Sequence, residues 1–315
     1  MWSTLARKRF QSWSLLFACN LMWALQFTCY KLVQDQVGPL FTVWGPMTLA
    51  TVMLYPFVRS EKGVESQKGG RKRQDFLVFL LLAALGVFPG QVLGTWGTRM
   101  SLASDAALLS VTAPICTAVL AVILLGERMT GITWSSFAFA IAGVVMCLNI
   151  GFRSLDLSIR HLFGNALIVI SNLGSAFYNY YGKKVLARYS PMEVLFFTYV
   201  AMFVIMTPLV MVKEGHILAR IPGFTVRTWV GLALLTFFHN FLSIVLFLKA
   251  LKQLDAIQAA VANYLVAFFG VPIAIIWLKE KLTLLGIVGG LMVLFSTLLV
   301  TLWEDRHPPA STVQD

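Results

Sequence analysis

The sequence predicts an all-α polytopic membrane protein, with ten transmembrane helices arranged as two inverted five-helix repeats. Three observations carry this prediction. Hydrophobic residues make up 58% of the 315-residue chain and charged residues 12%, about half the charged share of a soluble domain. The apolar residues gather in ten stretches, each near the ~20 residues a helix needs to cross a ~30 Å hydrocarbon core. A polar pattern around the fourth stretch recurs around the ninth.

Residues 1–11 form a basic N-terminal segment containing Arg7-Lys8-Arg9. The first stretch, Ser12–Val33, is longer than the apolar core of a cleaved signal peptide and lacks its small-residue cleavage site, so it reads as a retained helix. Pro39–Val58, Phe76–Met100, Asp105–Leu125 and Gly131–Ile150 follow, completing a first repeat over 12–150. After a linker at 151–161 come Leu162–Leu186, Pro191–Val212, Arg227–Leu251, Asp255–Leu278 and Leu284–Trp303, a second repeat over 162–303. The Lys/Gly/Arg-rich loop Arg59–Asp75 and the polar tail 304–315, with Pro308-Pro309, read as solvated.

The net charge is +11, from 25 basic and 14 acidic residues. With the N-terminus inside, 16 of the 25 basic residues fall on inner segments, which places both termini in the cytoplasm and the protein in the cell (inner) membrane. The first half supplies this bias, with ten inside against two outside. The second half counts six against seven, so its orientation rests on helix counting. The basic excess is therefore a topology signal: the lipid bilayer is the partner it implies, and nucleic acid is not.

The repeat is read from particular residues. Arg99 and Lys249 each stand six positions before an aspartate, Asp105 and Asp255, that opens an apolar span. Those spans close on Gly126-Glu127-Arg128-Met129-Thr130 and Lys279-Glu280-Lys281-Leu282-Thr283. Five is an odd number, so two five-helix copies enter the membrane with opposite orientations, an arrangement found in secondary transporters. These paired signatures, with Pro114 thirteen residues before Glu127, resemble the EamA-type permeases of the drug/metabolite transporter superfamily. The second copy departs from the pattern, with Ala267 at the proline position and Pro272 five residues later, and Gly45-Pro46 stands where many members carry an arginine. The resemblance implies ten helices, cytoplasmic termini and a central cavity between the halves.

Intramembrane polar residues give the candidate site. His239 is the only ionisable group near the middle of a span, a position that is costly unless the group is partnered. Thr236, His239, Asn240 and Ser243 share one face at α-helical spacing. The sixth span carries Asn165, Asn172, Ser175 and Asn179 with Tyr178 and Tyr181 beside them. The third has Gln91, Thr95 and Thr98 after Pro89-Gly90, read as a helix break, and the first has Asn20, Trp23 and Gln26. The ninth adds Gln258 and Asn263, whereas spans two, five and ten are almost purely apolar. A wet cavity explains that division. The substrate-binding set is accordingly Trp23, Gln26, Gln91, Trp96, Asn172, Tyr178, Asn179, His239, Asn240 and Asn263. An alternative reading uses Arg99 and Lys249 as a clamp for an anion.

Each of these residues also has a plain reading. Ser, Thr and Asn glue membrane helices together, Arg99 and Lys249 snorkel to the interface, and Asp105 and Asp255 serve as helix N-caps. Gly286/Gly290 and Ala138/Ala142 mark close packing, within the chain or in a homodimer. No Cys-x-x-Cys, H-E-x-x-H or G-x-x-x-x-G-K-[ST] occurs, so zinc, disulfide and ATP chemistry have no motif to rest on. No cofactor, metal or enzymatic activity is expected. The expected function is that of a secondary transporter moving a small polar or amphipathic metabolite by alternating access. Coupling stays open between a proton on His239 and uncoupled facilitation or exchange. A non-transporting scaffold or receptor is the reading from a different class.

Overall fold

The computed structural model describes residues 4–65, 73–113, 116–117, 120, 131–147, 159–253, 264–279, 284–285, 287–292 and 295–296. Among the described residues all regular structure is helical. Five helices are long and apolar enough to cross a membrane: α1 (Gln11–Val33), α2 (Pro39–Ser60), α3 (Phe76–Met100), α7 (Pro191–Glu214) and α8 (Val226–Leu251). Between them lie α4 (Ala103–Leu109), α5 (Gly131–Cys147) and the 28-residue α6 (Ile159–Leu186), and α9 (Tyr264–Leu278) follows α8. The polar stripe of α6 lowers its hydropathy below that of its neighbours, although its length exceeds what a crossing needs. The expected fourth, fifth, ninth and tenth spans are described only in part.

Helix pairing repeats with the helix number shifted by five. α3 packs on α6 as α8 packs on α1, α2 on α8 as α7 on α3, and α1 on α9 as α6 on α4. α2·α7 and α4·α9 map onto themselves under the same shift. In α2·α7, Trp44 Nε1 donates to Thr207 Oγ1 at 3.0 Å and its ring stacks on Phe203 with centroids 6.2 Å apart. The repeat also shows in local backbone. α3 widens to π-helix over Leu82–Val87 and Pro89–Leu93, and α8 over Leu235–Ser243, nearly the same stretch one period later. The expected break at Pro89-Gly90 is thus a correction: the helix continues, and the missing proline N–H is absorbed by wider turns.

α3 and α6 meet along glycines. A Cβ on Gly97 would lie 2.5 Å from Gly164 O, and one on Gly174 would lie 2.7 Å from Gly90 N and 2.8 Å from Gly86 O. Small residues allow such backbone contact between membrane helices. The seam joins the two halves and holds α6 in place to present its polar stripe.

The helix ends are fixed by acids. Buried Glu214 at the end of α7 accepts from Leu40 N at 3.2 Å and Phe41 N at 2.7 Å, capping the start of α2. Gly38 leaves it room, since a Cβ there would fall 2.2 Å from the carboxyl carbon. Glu214→Ala strands two N–H groups at a positive helix end, and the expected loss is about 2–3 kcal/mol. Thermal unfolding in detergent checks this, with an unchanged midpoint as the contrary result. At the start of α7, Ser190 and Glu193 form a reciprocal capping box around Pro191. Asp105 corrects a reading from sequence: Leu102 occupies the N-cap of α4, and Asp105 lies inside the first turn. Asp255, Glu127 and Glu280 lie outside the described residues.

Of the small-residue pairs, Gly290 packs within the chain, where a Cβ would meet Leu108 Cδ2 at 3.0 Å. Ala138 and Ala142 are exposed on α5.

Candidate functional site: a cavity between the two halves

A cavity of about 130 Å³ lies between the halves, lined from the middle stretches of their helices. α1 contributes Trp23, Gln26, Phe27 and Tyr30, and α3 contributes Gly86, Gly90, Gln91 and Gly94. α6 supplies Ser171, Asn172, Ser175, Tyr178 and Asn179. Ser110 follows α4, Tyr199 comes from α7, His239 and Phe247 from α8, and Val266 from α9. Among the described residues, α2 and α5 line none of it. No described lining residue carries a formal charge, so the walls offer neutral hydrogen-bonding groups among aromatic faces. The volume exceeds by several fold the ~10–15 Å³ that one water requires.

At its centre Gln91 joins the halves. Tyr30 OH donates to Gln91 Oε1 at 3.1 Å, and His239 Nε2 lies 3.2 Å from the same oxygen. An amide oxygen only accepts, so Nε2 of His239 carries the hydrogen and Nδ1 is the bare acceptor of the neutral ring. Nδ1 is buried and finds no protein partner among the described residues, as is true of Tyr178 OH and Trp23 Nε1. Leaving such groups unpaired costs about 1–3 kcal/mol each. Asn172 donates from Nδ2 to Leu109 O at 2.9 Å and to Thr112 Oγ1 at 2.7 Å, which leaves its amide oxygen as the group it can offer.

Seven of the residues expected from sequence thus meet around one space: Trp23, Gln26, Gln91, Asn172, Tyr178, Asn179 and His239. Three others are corrected or lie elsewhere. Trp96 is 43% exposed on the outer side of α3, because the glycine face of that helix is the one turned to α6. Asn240 is buried off the cavity, where Nδ2 donates to Leu235 O five residues back at 2.8 Å and ties down the π-helical segment. Asn263 lies outside the described residues.

The Arg99/Lys249 clamp is also corrected. Arg99 is exposed and donates to Val37 O at 3.3 Å, in the turn where neighbouring Gln36 binds Thr225 and Thr228 at the start of α8. Lys249 is exposed near the opposite end of α8, beside Leu251, whose carbonyl accepts from Lys183 at 2.7 Å. Arg99 thus lies beside the start of α8 and Lys249 near the end of that 26-residue helix, so the two cations cannot converge on one ligand. Tyr30, Tyr199 and Ser171 were not singled out from the sequence. Tyrosines and serines at such depths repeat too often in membrane helices to mark a site by themselves.

The EamA-like transporter family model matches residues 12–149 and again 162–302. The chain belongs to this family. It is a multi-pass membrane protein of transporter type. Among relatives, it is 27% identical over 288 residues to a "Probable terminal-alkyne amino-acid exporter" of Streptantibioticus cattleyicolor, covering 91% of this chain and 92% of that protein. It is 23% identical over 291 residues to an "Uncharacterized transporter" of Archaeoglobus fulgidus, covering 91% and 96%. It is 21% identical over 238 residues to the "Uncharacterized transporter YetK" of Bacillus subtilis, covering 76% and 71%. A solved structure described as "Crystal structure of protein" superposes with a TM-score of 0.66 at 13% identity, covering 94% of this chain and 98% of that one. That likeness shows the fold alone.

Proposed function

We propose that this EamA-family protein is a permease that carries a small, net-neutral polar or amphipathic solute across the cell membrane by alternating access of its two inverted halves. The observation that carries this reading is the uncharged, hydrogen-bonding and aromatic lining of the cavity between the halves. Removing a net charge from water into such walls is costly without a counter-charge, whereas dipolar groups are matched by Gln91, Asn172, Asn179 and His239. The aromatic rings of Trp23, Tyr30 and Phe247 suit an apolar portion of the same solute. The name of the S. cattleyicolor relative supports an amino-acid-sized cargo and the outward direction, and the positive-inside count supports cytoplasmic termini. An anion exchanger is disfavoured by the separation of Arg99 from Lys249.

Charge class is the property to test. Purified protein would be screened by thermal shift against pooled amino acids, pooled phosphorylated metabolites and pooled cationic drugs. A ligand at a hundredfold excess over its Kd stabilises by about 2.7 kcal/mol. The zwitterionic pool is expected to raise the midpoint and Asn172→Ala to remove the shift. A shift from the phosphorylated pool alone would reverse the assignment in favour of anion exchange. Silence from every pool would favour a scaffold.

A further inference from the structure

A second titratable cluster lies outside the cavity, on the seam where α4 of the first half meets α6 of the second. His161 Nε2 is 2.9 Å from Asp105 Oδ2, with the aspartate side chain 11% exposed and the histidine 27%. Ser101 bridges the group, donating to Asn165 on α6 and lying 3.5 Å from the Asp105 carboxylate. His161, Asn165 and Asn172 run down one face of α6, and Asn172 binds Leu109 O and Thr112 below. Three polar links therefore fasten the halves between this end of the bundle and the cavity. Asp105 stands five residues, about 7 Å at the α-helical rise, before cavity-lining Ser110. Any motion that opens the cavity between α4 and α6 at this end must break the links in order, and only the first of them can change its charge.

We infer that His161 and Asp105 form a proton-operated latch, which holds this end of the cavity shut when His161 is protonated and releases it when the proton leaves. This rests on the alternating-access reading above. Histidine changes charge near neutral pH. Protonated, it makes a charge-assisted bond to the carboxylate; deprotonated, it keeps only a neutral donor. The latch therefore weakens as pH rises. The charged groups on the elements packed against the pair are Arg99 on α3, Lys31 at the end of α1 and Arg160 beside His161. α5 and α9 bring none within Gly131–Cys147 and Tyr264–Leu278. Arg99 is turned to Val37 O. The sequence pattern led to Asp105 only as a helix cap. Its partner lies 56 residues away, in the other half.

The test places a reporter cysteine in the cavity, Ser110→Cys, in the full chain with its four native cysteines replaced. A membrane-impermeant maleimide then reads opening in vesicles exposing the Gln36 end. With the latch intact, the labelling rate, divided at each pH by that of an always-exposed reference cysteine to cancel thiolate formation, is expected to rise roughly tenfold from about pH 5 to pH 8, the range over which histidine titrates. His161→Gln is expected to label fast and without a pH slope, and His161→Lys, whose charge persists, to label slowly throughout. Equal melting temperatures of the Gln and Lys variants control for folding. An undiminished pH slope in His161→Gln would overturn the latch while leaving alternating access standing. One constant rate in every variant and at every pH would overturn alternating access itself, and the latch with it.

Discussion

Gly174→Ala is expected to lower the unfolding temperature of the detergent-solubilised protein by roughly 5 °C or more, a cost of about 2–3 kcal/mol. The added methyl would lie 2.7 Å from Gly90 N and 2.8 Å from Gly86 O. Both are backbone atoms of α3, so no side chain can swing aside, and relief requires α3 and α6 to separate. Separation would open the contact that seats Ser171 and Ser175 against Gly94 and Gly90 at the cavity wall. Gly182→Ala serves as the control on the same helix, because a Cβ there meets nothing within 4 Å. It should be neutral or stabilising, by up to ~1 kcal/mol from helix propensity. Equal melting of the two variants would mean that the glycine seam does not hold the halves together. Gly97→Ala extends the test towards the Asp105–His161 end, since its methyl would fall 2.5 Å from Gly164 O.

That seam was legible in principle, for Gly86, Gly90 and Gly94 recur every fourth residue. On its own the spacing carries no signal in the sequence, because a glycine announces close approach only when the partner surface is known. The long spans were legible because bilayer thickness sets their length: each of the five crossing helices covers an expected span, while the helical backbone runs on beyond it, from Thr4 before α1, to Glu65 after α2 and from Arg73 before α3. The cavity faces of α1 and α6 were legible from helical spacing. On α8 the same rule failed. The stripe Thr236, His239, Asn240 and Ser243 assumes α-helical turns, but Leu235–Ser243 is π-helical, and the bonds run five residues back. Of those four, His239 alone reaches the cavity, while Thr236 and Ser243 bond to carbonyls of their own helix. The Asp105–His161 pair was illegible for another reason: it is a contact between halves, and nothing local in either segment signals it.

Gln91 is the cavity residue whose replacements separate structure from selectivity. Gln91→Leu keeps the volume but removes the oxygen shared by Tyr30 OH and the Nε2–H of His239. His239 then loses its partner, at about 1–3 kcal/mol, Tyr30 OH keeps only the longer bond to Gln26 Oε1 at 3.5 Å, and transport is expected to fall at least tenfold together with the melting temperature. Gln91→Glu keeps an acceptor in the same place, so both donors stay satisfied and the fold is expected to hold. It adds a negative charge to a lining that has none among its described residues. An uncompensated negative charge in the lining favours a cationic solute. Thermal shift against the amino-acid and cationic pools is expected to show a roughly tenfold move in relative affinity towards cations, about 1.4 kcal/mol. The balance should swing back at low pH, where the added carboxyl is protonated and the described lining is again uncharged. An unchanged preference in Gln91→Glu, with the protein folded, would place the solute away from the Tyr30–Gln91–His239 group.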